Sequence, residues 1–131
     1  MDQGTTKPFR ILVAEDNHIN RKVIEGLLVN FGYEPDMVVN GKDAVEKALE
    51  GSYDVIFMDC QMPVMNGYEA TTQIRETEIG TDNHIAIIAM TGNSMKGDRE
   101  KCLDYGMDDY ISKPIRIDDF KAIIEKWMAE S

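Results

Sequence analysis

Apolar residues fall along this chain in two alternating rhythms. Short, nearly continuous apolar runs occur in FRILVAED (9–16), EPDMVV (34–39), YDVIFMD (53–59), HIAIIAMT (84–91) and DDYIS (108–112). Runs of this length between turn residues predict strands, and the unbroken third and fourth predict burial on both faces. Between them the spacing becomes helical. Ile19, Val23, Leu27 and Phe31 mark a first helix, and Ala44, Val45, Ala48 and Leu49 a second. Tyr68 to Glu78 reads as a third, and Asn93 to Tyr105 as a more polar fourth with a sparse apolar stripe. Phe120, Ile123, Ile124, Trp127 and Met128 make a last stripe that needs a core to lie against. Gly32, Gly51, Gly80 and Gly106 stand where these helices should stop.

Strands alternating with helices predict βαβ units. The expected fold is α/β, a doubly wound five-stranded parallel sheet of order 2-1-3-4-5 with five helices, flavodoxin-like. In such sheets ligands bind in the crevice at the carboxyl ends of the strands. The chemistry of those ends therefore matters. The first strand finishes in Glu15-Asp16, the third in Asp59, the fourth in Thr91, and the fifth runs into Lys113. Parallel strands would bring all five side chains to one edge.

Composition narrows the setting. A length of 131 residues predicts one domain with a core of its own. Linkers are short, apart from a flexible tail expected over 1–7, so the folded unit should span 8–131. Two cysteines, Cys60 and Cys102, give neither metal spacing nor a disulfide framework and read as buried or half-buried thiols of a reducing compartment. With no signal-peptide core and no apolar run of about 18 residues, the expected location is cytoplasmic, with no direct membrane contact. A net charge of −10 argues against nucleic acid as a partner.

Acids gathered at one point must neutralise each other or hold a cation. Three carboxylates together would raise at least one pKa, and a hard divalent ion such as Mg²⁺ resolves the repulsion through oxygen ligands. A lysine across the site suits a phosphoryl group, a threonine hydroxyl can donate to it, and Asp is a known phosphoryl-accepting nucleophile. Singly each residue has a plainer reading. Asp16 or Asn17 could cap the first helix, Thr91 could bond its neighbours, and Lys113 could be a solvated charge. The conjunction at four strand ends favours phosphoryl chemistry.

The segments ILVAEDN, DVIFMDCQMPVMNGYEA, IIAMTGNS and YISKPI resemble the receiver domains of two-component response regulators, over about residues 8 to 130. The resemblance implies Asp59 as phosphoacceptor. It implies Mg²⁺ held by Asp16, by Glu15 acting through water, by Asp59 and by the main-chain carbonyl of Gln61. Lys113 would hold the phosphoryl oxygens, with Lys113-Pro114 cis. Thr91 would swing toward the phosphoryl group and Tyr110 would follow it as the aromatic switch. The implied partner is a histidine kinase or histidine phosphotransfer domain, docking on the first helix near Ile19, Asn20 and Val23. A monomer or weak dimer is expected, catalysing only its own phosphorylation and slow dephosphorylation.

The wording MDCQMPVMNGYEAT is most similar to receivers of hybrid sensor histidine kinases, with a stand-alone regulator as the alternative. Asn66-Gly67 is expected to make a turn, Gly92 to widen access to the site, and Gln61 and Asn93 to tune dephosphorylation. Tyr53 and Tyr105 are expected to pack half-buried. Three rivals fit less well. A flavodoxin-type cofactor binder needs a phosphate loop where AEDNHIN is acidic. A Mg²⁺-dependent phosphatase needs a second acid where Gln61 stands. A degenerate receiver would lack site residues that are all present here.

Overall fold

The computed structural model describes residues 9–51, 53–92 and 98–128; the expected tail, Asn93 and the side chain of Met128 lie outside them. The elements run β1 (Ile11–Ala14), α1 (His18–Asn30), β2 (Asp36–Val38), α2 (Gly41–Glu50), β3 (Val55–Asp59), α3 (Gly67–Glu78), β4 (Ala86–Thr91), α4 (Asp98–Asp104), β5 (Asp109–Ser112) and α5 (Ile117–Met128). All pairings are parallel and the sheet order is β2-β1-β3-β4-β5, as the pattern predicts. β1 and β3 are buried along their whole length, which explains their apolar continuity.

Alternation along the strands divides the core in two. Leu12, Ile56, Met58, Ile87 and Ala89 pack with Ala44, Ala48, Ala70, Ile74 and Cys102 under α2, α3 and α4. Ile11, Val13, Val55, Phe57, Ile88 and Met90 pack with Ile24, Leu28, Phe120 and Ile124 under α1 and α5. Phe120 is the hub of this second layer, with its ring centroid 5.1 Å from Phe57 and 6.4 Å from Phe31.

The helix ends have identifiable causes. Asn17 caps α1 by accepting from Asn20 N–H. Gly32, at φ 95°, closes the same helix with Tyr33 N–H bonded to Leu28 O and Gly32 N–H to Val29 O. Asn66-Gly67 corrects the turn expectation. Asn66 is the N-cap of α3 in a reciprocal box with Glu69. Gly67 lies inside the first helical turn, where a Cβ would stand 2.3 Å from the Asp59 carbonyl oxygen. Its missing side chain lets α3 start directly against the end of β3.

Other differences are smaller. β4 begins at Ala86 rather than His84, because Ile85 N–H is taken by the Glu78 carboxylate. The buried positions of α1 are Ile24 and Leu28, while Ile19 and Val23 are 68% and 43% exposed. Tyr53 is buried, whereas Tyr105 is an exposed ring laid against Tyr68. Both cysteines are buried.

Candidate functional site

The strand ends do converge. Ligand oxygens of Glu15, Asp16 and Asp59 all lie within 4.8 Å of one another. Lys113 reaches across from the end of β5, its Nζ 2.9 Å from Glu15 Oε1 and 3.1 Å from Asp59 Oδ1. These groups border a cleft of about 250 Å³ that also touches Asn17, Asn20, Gln61 and Gly92. Lys113-Pro114 is a cis peptide. A larger concavity of about 460 Å³ lies at the opposite edge, between Leu49, Asp54, Glu78 and His84. There His84 and Glu78 already pair within a network that includes Arg75 and Asp108, and none of the converging strand-end groups is near.

Register explains the arrangement. Alternation puts Glu15 in phase with Ile11 and Val13, Asp59 with Val55 and Phe57, and Lys113 with Ile111, on the side of the sheet under α1 and α5. Thr91 is in phase with Ile87 and Ala89, on the other side, and is buried. Tyr110, aligned with Ala89, lies half-buried on that same side, so Thr91 and Tyr110 share one face of adjoining strands. Lys113 N–H bonds to Thr91 O, tying the two strand ends directly.

Asp59 accepts from Gln61 N–H at 3.1 Å. Its pKa is pushed up from 3.8 to about 7, by burial first and then by the Glu15 charge, against the lowering effects of the Gln61 N–H and Lys113. Burial alone would lower the Lys113 pKa, but its contacts with Glu15 and Asp59 outweigh that and hold it raised. Glu15 is fully buried. Its Oε2 accepts from Asn17 N–H, and its Oε1 lies 2.9 Å from the Lys113 ammonium. Asp16 is exposed, and no described side-chain contact engages its carboxylate. With Asn17 as the cap, Asp16 is released from that role.

Among the described residues, three carboxylates face one ammonium and the Asp16 carboxylate has no partner, a donor set that fits a hard divalent cation. The resemblance implied that Asp16 would be the direct ligand and Glu15 the remoter one. The geometry gives Asp16 the free carboxylate and ties Glu15 to Lys113. Gly92 borders the cleft, and a Cβ built there meets nothing within 4 Å, so an alanine would fit without displacing a neighbour.

The acidic triad and the lysine lie on the carboxyl edge of a 2-1-3-4-5 parallel sheet, the chemotaxis-regulator-like fold. The family model for the response regulator receiver domain matches residues 11–125, and this chain belongs to that family. It is 45% identical over 119 residues to hybrid signal transduction histidine kinase B of Dictyostelium discoideum, covering 84% of the chain and 6% of that protein. The chain thus spans a small part of the relatives that it matches.

Among solved structures it is similar to the receiver domain of a Pseudomonas aeruginosa sensor histidine kinase with a magnesium ion coordinated in the active site cleft. That match has 40% identity and a TM-score of 0.83, and covers 95% of this chain and 100% of the other. It is also similar to a Saccharomyces cerevisiae response-regulator receiver domain co-crystallised with a histidine phosphotransfer protein. There the identity is 31% and the TM-score 0.86, with coverage of 93% and 90%.

Sequence reasoning missed Arg21, Arg75 and Val64. Arg21 Nη1 donates to the carbonyls of Glu15 and Asp16 at 3.1 and 2.9 Å. Arg75 bonds Gly106 O, Glu78 and Asp108, joining α3 to the turn before β5. These contacts are made to backbone or to residues far along the chain, so no spacing announces them. Val64 is exposed in the loop after Asp59 at φ 70°, a conformation that β-branched residues rarely adopt.

Proposed function

We propose that this chain is the phosphoacceptor receiver module of a hybrid sensor histidine kinase, taking a phosphoryl group from a phosphohistidine onto Asp59. The convergence of Glu15, Asp16, Asp59 and Lys113 carries this reading. Asp16, Asp59, the Gln61 main-chain carbonyl and, through water, Glu15 would hold Mg²⁺. The ion would offset the charge that builds up on the transferring phosphoryl oxygens.

The chain's own groups do the rest. β3 delivers the Asp59 carboxylate into the cleft at the rim of a rigid sheet, where an incoming phosphohistidine would meet it. Gln61 N–H binds one carboxylate oxygen and leaves the other as nucleophile. Its attack on phosphorus forms the Asp59 O–P bond, while the P–N bond breaks and its electron pair returns to the imidazole. Lys113, held positive by its acidic neighbours, turns from carboxylates toward phosphoryl oxygens as they arrive. Thr91 and Tyr110, side by side on one face, move toward the new charge and alter the surface around α4 and β5. Ile19 and Val23 offer an apolar docking face beside the cleft for a histidine phosphotransfer partner.

Beryllofluoride with Mg²⁺ tests the reading as a mimic of the phosphoryl group. Amide shifts should change at Asp59, Thr91, Tyr110 and along α4, and Asp59→Asn should abolish them. Shifts confined to α1, or equal in the Asp59→Asn variant, would overturn it.

A further inference from the structure

The segment between β1 and α1 carries two of the three acids, yet among the described residues no side-chain contact aims Asp16. Its peptide is restrained instead from the helix that follows. Arg21, in the second turn of α1, lays one guanidinium nitrogen between two successive carbonyl oxygens, 3.1 Å from Glu15 O and 2.9 Å from Asp16 O. His18 Nδ1, 3.5 Å from the other terminal nitrogen, flanks the guanidinium on the same helix. Glu15 is fixed at three further points, by its N–H on Val38 O, by Asn17 N–H on its Oε2 and by Lys113. Among the described residues, Asp16 has only the Arg21 clamp on its carbonyl.

We propose that Arg21 is a positioning residue for the acidic pair. By holding the carbonyls of residues 15 and 16 on its own side, it fixes the direction in which Asp16 leaves the backbone. It thereby sets the affinity of the triad for a divalent cation. This inference rests on reading the triad as a Mg²⁺ site. Charge makes the idea sharply testable, because a guanidinium near three carboxylates weakens cation binding by simple repulsion. If Arg21 acted through charge, its removal would tighten Mg²⁺ binding; if it acts through position, its removal loosens it. Partners that orient metal ligands commonly contribute tenfold or more to affinity.

The test follows the thermal unfolding midpoint against Mg²⁺ concentration for wild type, Arg21→Ala and Arg21→Lys, with a metal-free series in chelator. Arg21→Ala should raise the apparent Mg²⁺ dissociation constant about tenfold. Arg21→Lys, which keeps a cationic donor on a long stem, should recover most of that loss. An unchanged or lower dissociation constant in Arg21→Ala overturns the proposal. So does a loss confined to the metal-free midpoint, which marks an ordinary structural contact. Should Arg21→Ala fail to fold, Arg21→Met keeps the stem for packing without any donor and carries the same expectation. A wild type indifferent to Mg²⁺ would refute the metal reading itself, and the proposal with it; a responsive wild type with an unaffected Arg21→Ala would refute the proposal alone.

Discussion

Replacing Asp59 by Asn should stabilise the protein in the absence of divalent cations, and the gain should depend on pH in a defined way. The Asp59 side chain is 4% exposed, and its pKa is raised from 3.8 to about 7. Below pH 3.8 the carboxyl is protonated whether the chain is folded or not, so it exacts no cost. Between 3.8 and 7 only the unfolded chain releases the proton, and folding becomes less favourable as pH rises. Above 7 the cost is constant, at about 4 kcal/mol for the full interval.

The asparagine of the variant keeps an oxygen for Gln61 N–H and Lys113 and has no proton to release. In chelator, Asp59→Asn should therefore gain up to about 4 kcal/mol at pH 8, and roughly 3 kcal/mol less at pH 5. Urea unfolding followed by the single tryptophan at the two pH values measures both. Adding Mg²⁺ should stabilise wild type at pH 8 and close much of the gap. A variant that is no more stable than wild type at pH 8, or equally favoured at pH 5, would refute the reasoning.

Three further outcomes follow from the packing. Gly67→Ala should cost about 3 kcal/mol, because its Cβ would stand 2.3 Å from Asp59 O, whereas Gly92→Ala should stay within about 0.5 kcal/mol; chemical denaturation compares them. Arg75→Met should cost about 3 kcal/mol in the same assay, since it leaves the largely buried Glu78 and Asp108 carboxylates without their cation. Val64→Gly should raise stability by about 1 kcal/mol, the relief of a valine at φ 70° exceeding the entropy that glycine adds to the unfolded chain.

The sheet was legible because strands buried on both faces must be apolar throughout, as in Val55–Met58 and Ile87–Met90, and its order because it follows the doubly wound flavodoxin-like arrangement. The site was legible because parallel strands send their carboxyl ends to one edge, and Glu15, Asp16, Asp59, Thr91 and Lys113 occupy those ends. The helix faces were less legible. Ile19 and Val23 fit the spacing of α1 as well as Ile24 and Leu28 do, and only the position of the sheet decides which pair is buried. Asn66-Gly67 carries the composition of a turn. It takes a cap and a close backbone contact because α3 begins beside the residue that ends β3. Arg21 and Arg75 bond mainly to carbonyls or to distant acids, which leave no periodic trace in the sequence.

The most direct test of the central claim is intact-mass and peptide mapping after incubation with acetyl phosphate. One phosphoryl group should appear, only with Mg²⁺, on the peptide that contains Asp59, and Asp59→Asn should take up none. Incorporation without a divalent cation, or on any other residue of the wild type, would contradict the account.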